Sequence, residues 1–114
     1  MADCIFCRIA AGDIPCREVH ADTDFVAFRD LNPQAPVHFL VIPRRHVAAL
    51  TDLTGADADL VGRLQVTAAQ VAAKLGLAET GYRFVINCGR DACQTVPHLH
   101  LHVLGGRALG WPPG

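Results

Sequence analysis

No stretch of this chain approaches the ~20 consecutive apolar residues that a membrane-spanning helix needs, although 51% of its residues are hydrophobic. Met1–Cys4 contains no basic segment leading into an apolar one, so no secretory signal is expected and the expected address is cytoplasmic. Excess charge is missing too: ten Lys and Arg against eleven Asp and Glu leave a net charge of −1. That balance argues against bulk binding to nucleic acid or to an anionic membrane. It still allows a small anionic ligand held by local dipoles. Five cysteines, an odd number in a chain without a signal, make a disulfide framework an unattractive reading. At 114 residues the chain is expected to be one domain, 1–114, large enough for a real core.

What the chain does have is a run of alternating histidine and apolar residues, His98-Leu99-His100-Leu101-His102-Val103. The period is that of a half-buried strand. Leu99, Leu101 and Val103 then face a core, and three imidazoles line the other face at steps of roughly 6–7 Å. One histidine on a strand is commonly structural; three in register are hard to explain that way. Two chemistries use such a row. Neutral imidazole is a common transition-metal ligand, and a histidine flanked by orienting neighbours is a nucleophile. No Asp or Glu flanks the run, which weakens a catalytic metal site with a carboxylate ligand. A second motif, Cys4-Ile5-Phe6-Cys7, is either half of a zinc site or a redox pair. A redox pair of the thioredoxin type opens a helix after a buried strand, and only three residues precede this one. Zinc is the better reading if two more ligands exist.

Along the chain, residues 4–10 read as a short helical turn with Ile5, Phe6 and Ile9 on one side, broken at Gly12-Asp13-Ile14-Pro15. Strands are expected at 18–21, 25–29, 38–42 and 82–87, and then in the histidine run. Leu60, Val61, Leu64, Ala68, Val71, Ala72 and Leu75 recur at helical spacing. Thr54 and Asp57 resemble a capping box ahead of that helix, and Lys74 and Gly76 mark its end. Five strands with one long helix inserted late predict an α+β domain on an antiparallel sheet.

The motif His98-x-His100-x-His102, with Phe28-Arg29-Asp30, Pro33-Gln34-Ala35-Pro36, His38-Phe39-Leu40-Val41-Ile42-Pro43, Gly81-Tyr82-Arg83 and the ending Gly105-Gly106-Arg107…Trp111-Pro112-Pro113-Gly114, resembles the histidine triad (HIT) superfamily in its Hint-like branch. The likeness spans essentially the whole chain. It implies a five-stranded antiparallel sheet with one long helix and a short N-terminal helix, joined to a second sheet across a homodimer. It also implies hydrolysis of purine nucleoside 5′-phosphoramidates, and of aminoacyl-adenylates, to the nucleoside monophosphate through a covalent nucleotidyl-histidine.

By that resemblance His100 is the nucleophile, His102 holds a phosphate oxygen, and Thr95 stands near the leaving nitrogen where the family has serine. His38 supports the nucleophile's surroundings. Gln94 and Asn87 lie against phosphate or ribose, and Asp30 accepts from the ribose hydroxyls. Ile5, Phe6, Ile9, Phe28 and Leu31 form the slot for the base. The chain also resembles bacterial members with a structural zinc on two cysteines and two histidines, here Cys4, Cys7, His46 and His98. That division leaves the catalytic step metal-free. Three departures stand out: Cys93 replaces a common glycine, Pro97 removes a backbone donor before the triad, and Arg29 adds a cation near the nucleotide. The competing readings are a metal-dependent hydrolase or oxygenase, a nucleotide-binding module without turnover, and a dinucleoside polyphosphate hydrolase.

Overall fold

The computed structural model describes residues 3–114. Its strands are β1 (Glu18–Ala21), β2 (Phe25–Arg29), β3 (Val37–Pro43), β4 (Tyr82–Val85) and β5 (Leu101–Gly105), with helices α1 (Ile5–Ala10) and α2 (Ala58–Lys74). They form one antiparallel sheet in the order β1-β2-β3-β5-β4. The expected α+β class and element order hold. No helix among the described residues is long and apolar enough to cross a membrane.

Local chemistry explains the elements. Asp22 closes the β1–β2 hairpin by accepting from the backbone N–H of Asp24 and Phe25, both at 2.8 Å. The Thr54–Asp57 capping box forms as read, with the Asp57 carboxylate accepting from the Thr54 N–H at 2.9 Å. It closes a single 3₁₀ turn from which α2 runs on.

The two sheet faces have different tenants. Phe25, Ala27, Phe39, Val41, Leu99, Leu101 and Val103 pack with Leu64, Ala68, Val71 and Ala72 of α2 in the main core. Val26, Phe28, Leu40 and Ile42, on the opposite parity, pack with Cys4 and Phe6 of the N-terminal segment. A helix therefore covers one face fully, while the short α1 covers part of the other and leaves room beside it.

Two expected boundaries shift, for one reason. The histidine run enters the ladder only at Leu101, and β4 stops at Val85 rather than Asn87. Pro97 has no N–H to donate. The Leu99 N–H donates instead to the Val47 carbonyl at 2.6 Å, and the His98 N–H to Val96 at 2.9 Å. Residues 98–100 thus lie outside the ladder, and Asn87, which the β4–β5 register places opposite His100, has no strand partner there.

Leu64 is wholly buried between α2 and the sheet. Leu64→Ala is expected to cost about 2–5 kcal/mol, by lost burial and an incompletely collapsed cavity. Urea denaturation, with an unchanged m-value, measures it.

Candidate active site and metal centre

Although 98–100 lie outside the ladder, side-chain alternation continues through them. Leu99, Leu101 and Val103 stay in the core. The three histidines do not form one row with one task, however; each goes to a different neighbourhood.

His98 is wholly buried. Its Nε2–H donates to the Pro43 carbonyl at 2.8 Å, so Nδ1 keeps its lone pair. That Nδ1 lies 3.3 Å from the Cys4 Sγ, 3.5 Å from the Cys7 Sγ and 3.2 Å from the His46 Nδ1, and the Cys7 Sγ is 3.2 Å from the His46 Nδ1. Two thiols and two imidazole nitrogens thus converge, all within 4.8 Å of one another. Tetrahedral Zn–N and Zn–S bonds would put ligand atoms roughly 3.3–3.8 Å apart, close to what is seen. The Pro43 carbonyl supplies the outer hydrogen bond that ligating imidazoles characteristically make. Burial, and then Cys4, push the Cys7 thiol above its ordinary range; a bound cation would reverse that by favouring the thiolate. Cys4, Cys7, His46 and His98 can therefore hold a metal ion, as the sequence led one to expect.

His100 sits between the two groups. Its Nδ1–H donates to the His98 carbonyl at 2.6 Å, leaving the lone pair on Nε2. The Phe6 ring meets it edge-on, with centroids 5.1 Å apart. His102 lies on its other side, centroids 5.1 Å apart.

His38, from β3, fixes the tautomer of His102. The Gln34 backbone N–H donates to His38 Nδ1 at 3.0 Å, so the proton of His38 is on Nε2. This Nε2–H donates to His102 Nδ1 at 2.9 Å, which puts the His102 proton on Nε2. The Asp30 carboxylate stands 3.4 Å from His38 Nε2 and 3.9 Å from His102 Nδ1. No carboxylate flanks the triad in sequence, but the fold brings one to it. Asp30, His38 and His102 are close enough for an ion. The tautomer argues otherwise, since a protonated Nε2 on His38 has no lone pair to give. Burial lowers the pKa of His38, partly offset by Asp30. Burial, with the nearby His100 and His38, lowers that of His102 to about 4.

Asp30, His100 and His102 border a cleft of about 280 Å³. Ile5, Phe6 and Ile9 of α1, with Phe28 and Leu31, line it, and Asp30, Thr95, His100 and His102 complete the polar side. Leu31 is 92% exposed and Ile5 48%, apolar surface left open at the mouth. Two expected ligand contacts are not among the lining residues. The Gln94 amide is spent on the loop, donating to Ala48 and Val96 and accepting from the Gly89 N–H. Asn87 lies just past the end of β4. Ile14, Pro15, Cys16, Arg17 and Leu40 also line the cleft and were not singled out. Leu40 has the parity of His38, a signal hidden because β3 is apolar on both faces. Arg29 lines it as read. Cys93 holds a left-handed φ of 61°, the conformation glycine adopts freely, so the departure there carries backbone strain.

The HIT domain family matches residues 11–109. The chain belongs to the HIT family. An uncharacterized HIT-like protein of Synechococcus elongatus is 51% identical over 112 residues, covering 98% of this chain and 97% of its own. A crystal structure of a HIT family hydrolase from Legionella pneumophila superposes with a TM-score of 0.96 at 46% identity, covering 98% of this chain and all of its own. A zinc-bound histidine triad family protein from Mycobacterium smegmatis has a TM-score of 0.77 at 34% identity, covering 93% of this chain and 76% of its own. This HIT chain thus shares its fold with hydrolases and with a zinc-bound member.

The lowered pKa of His102 predicts an acid sensitivity. The unfolded chain takes up this proton near 6.5, the folded one only near 4. The unfolded state therefore binds more protons within that interval, and stability falls as pH drops through it, with no further gain above. Urea midpoints across the interval should slope less in His102→Gln; equal slopes would assign the sensitivity elsewhere.

Proposed function

We propose that this protein hydrolyses purine nucleoside 5′-phosphoramidates, and by the same route aminoacyl-adenylates, through a nucleotidyl-histidine intermediate on His100. The observation that carries the proposal is the His100 Nδ1–H bond to the His98 carbonyl. It leaves a neutral Nε2 lone pair on a residue that lines a cleft with an apolar wall, which suits nucleophilic attack on a bound phosphorus.

The steps balance with the groups present. The His100 Nε2 lone pair forms a bond to the α-phosphorus as the bond to the amine nitrogen breaks. The departing amine takes a proton from solvent through the Thr95 hydroxyl beside it, and the water that later attacks phosphorus returns one to solvent. The His102 Nε2–H, placed by the hydrogen bond from His38, donates to a non-bridging oxygen where negative charge builds up. Water then cleaves the phosphorus–nitrogen bond to His100 and releases the nucleoside monophosphate. Asp30 accepts from the ribose hydroxyls, and Ile5, Phe6, Ile9, Phe28 and Leu31 hold the base. Asn87 and Gln94 act in this reading through the loop and strand end that border the phosphate.

The metal is zinc in this proposal, held by Cys4, Cys7, His46 and His98, a donor set with no open position, so its part is structural. When bound, it supplies a fixed cross-link and no chemistry on the substrate. The homodimer belongs to the same reading. β4 is an outer strand of the sheet, and Tyr82 and Trp111 are exposed beside it, at 37% and 83%. Pairing of two β4 edges would join the sheets and cover both. The expected cytoplasmic address also stands as a proposal.

An aminoalkyl adenosine 5′-phosphoramidate tests the function directly. His100→Ala is expected to lower AMP release by about 10³-fold or more while AMP still binds. Rapid quenching of the unaltered chain should trap a nucleotidyl adduct by intact mass. AMP binding without turnover in the unaltered chain would overturn the enzyme reading in favour of a binding module.

A further inference from the structure

We infer that Cys4 and Cys7 form an oxidation site: their conversion to a disulfide by a peroxide releases the metal ion and loosens the wall of the nucleotide cleft. The inference rests on the metal site and the nucleotide cleft proposed above and not on the choice of phosphoramidate as substrate.

The two sulfurs are placed for such a bond. Cys4 is the N-cap of α1, and the Cys7 N–H donates to its Sγ at 3.3 Å. The sulfurs belong to one helical turn and lie within 4.8 Å of each other. A disulfide needs side-chain rotation and a modest closing of that turn, within the ordinary range of Cα separations. The pair thus meets one condition of a redox motif, because it does open a helix. Access is asymmetric. Cys7 is half-buried, whereas Cys4 is 7% exposed and packed in the smaller core. Cys7 meets the oxidant first and Cys4 resolves it.

The chemistry closes. The Cys7 thiolate attacks one peroxide oxygen, forming a sulfenic acid, and the other oxygen leaves as water after taking one proton from solvent. The Cys4 thiolate then attacks the Cys7 sulfur and expels a second water. Two thiolates lose two electrons, one peroxide gains two, and two protons are consumed. A disulfide is a far poorer ligand than two thiolates. Only His46 and His98 remain as donors, too few to retain the ion.

The consequence falls on the cleft because of what α1 carries. Six residues are too few for a helix to stand without tertiary support. Its C-terminal end is tied by the Arg44 guanidinium, which donates to the Ala10 carbonyl at 2.6 Å. Its N-terminal end is tied by Cys4 and Cys7. Between these ties it presents Ile5, Phe6 and Ile9 to the cleft. Phe6 also packs edge-on against Phe28, centroids 5.5 Å apart, and against His100. Loss of the ion frees one end of this wall. His38 and His102 ride on β3 and β5 and keep their places. Oxidation should therefore weaken nucleotide binding more than it alters the reacting groups.

The test uses the full chain loaded with zinc and treated with hydrogen peroxide. Released zinc is read by a colorimetric chelator, cysteine pairing by peptide mass, and AMP affinity by calorimetry. Circular dichroism follows the fold. The expected result is a Cys4–Cys7 peptide about 2 Da lighter, appearing in step with zinc release. AMP affinity should fall about tenfold, the order of one lost base–aromatic contact. A dithiol reductant with added zinc should restore both. Phe6→Ala, still zinc-loaded, should reproduce the affinity loss without oxidation. Zinc release without the disulfide, or the disulfide with unchanged AMP affinity, would overturn the inference. So would global loss of the circular dichroism signal on oxidation. A chain that takes up no zinc also overturns it, and leaves the hydrolysis assay to stand or fall by itself.

Discussion

The hydrogen bond from His100 Nδ1 to the carbonyl of His98 is the contact on which the site depends. It exists because residues 98–100 are not in the sheet. In a regular ladder the His98 carbonyl would be spent on a neighbouring strand. Here Pro97 cannot donate, and Leu99 is held to Val47 instead. The same short segment aims His98 Nδ1 at Cys4, Cys7 and His46 and leaves His100 Nε2 free at the cleft, two residues apart, while its apolar residues stay in the main core. A fully regular strand would have aimed all three histidines at one space and left their protons to compete.

Proton placement follows from backbone groups more than from charges. The Gln34 N–H decides the His38 tautomer, His38 decides that of His102, and the Pro43 and His98 carbonyls decide those of His98 and His100. Burial disfavours the charged forms of His38, His98 and His102. These three imidazoles can therefore lie in one cluster with little mutual repulsion. No buried side-chain nitrogen or oxygen among the described residues lacks a partner, so the buried part of the network is satisfied while His100 Nε2 and His102 Nε2 stay open to the cleft.

The cleft and the metal centre share their parts. Phe6 lies between Cys4 and Cys7, touches His98 and His100 with its ring edge, and walls the cleft. The proposed zinc and nucleotide sites therefore share one structure, in which the short helix borders both the Cys/His cluster and the cleft. No residue of the long helix α2 lines the cleft or joins the Cys/His cluster. It fills the other face of the sheet, and that burial keeps β3 and β5 in register.

The sequence by itself determined the fold class, the order of elements and the chemistry-bearing residues. Period-two alternation at 98–103, the Thr54–Asp57 cap and the spacing of the α2 residues are local signals, and local signals survive in one dimension. The family likeness added the expected roles of His38, Asp30 and the four candidate metal donors. Only the tertiary structure decided where the histidine run enters the ladder, because that turns on a contact with Val47, half the chain away. It alone brought Asp30 to His102, divided the three histidines among three environments, and committed Gln94 to its own loop. It also chose which parity of β3 borders the cleft, since a strand apolar on both faces carries no such mark. Each of these rests on contacts between residues remote in sequence, and side-chain periodicity records which way a residue points but not what it meets.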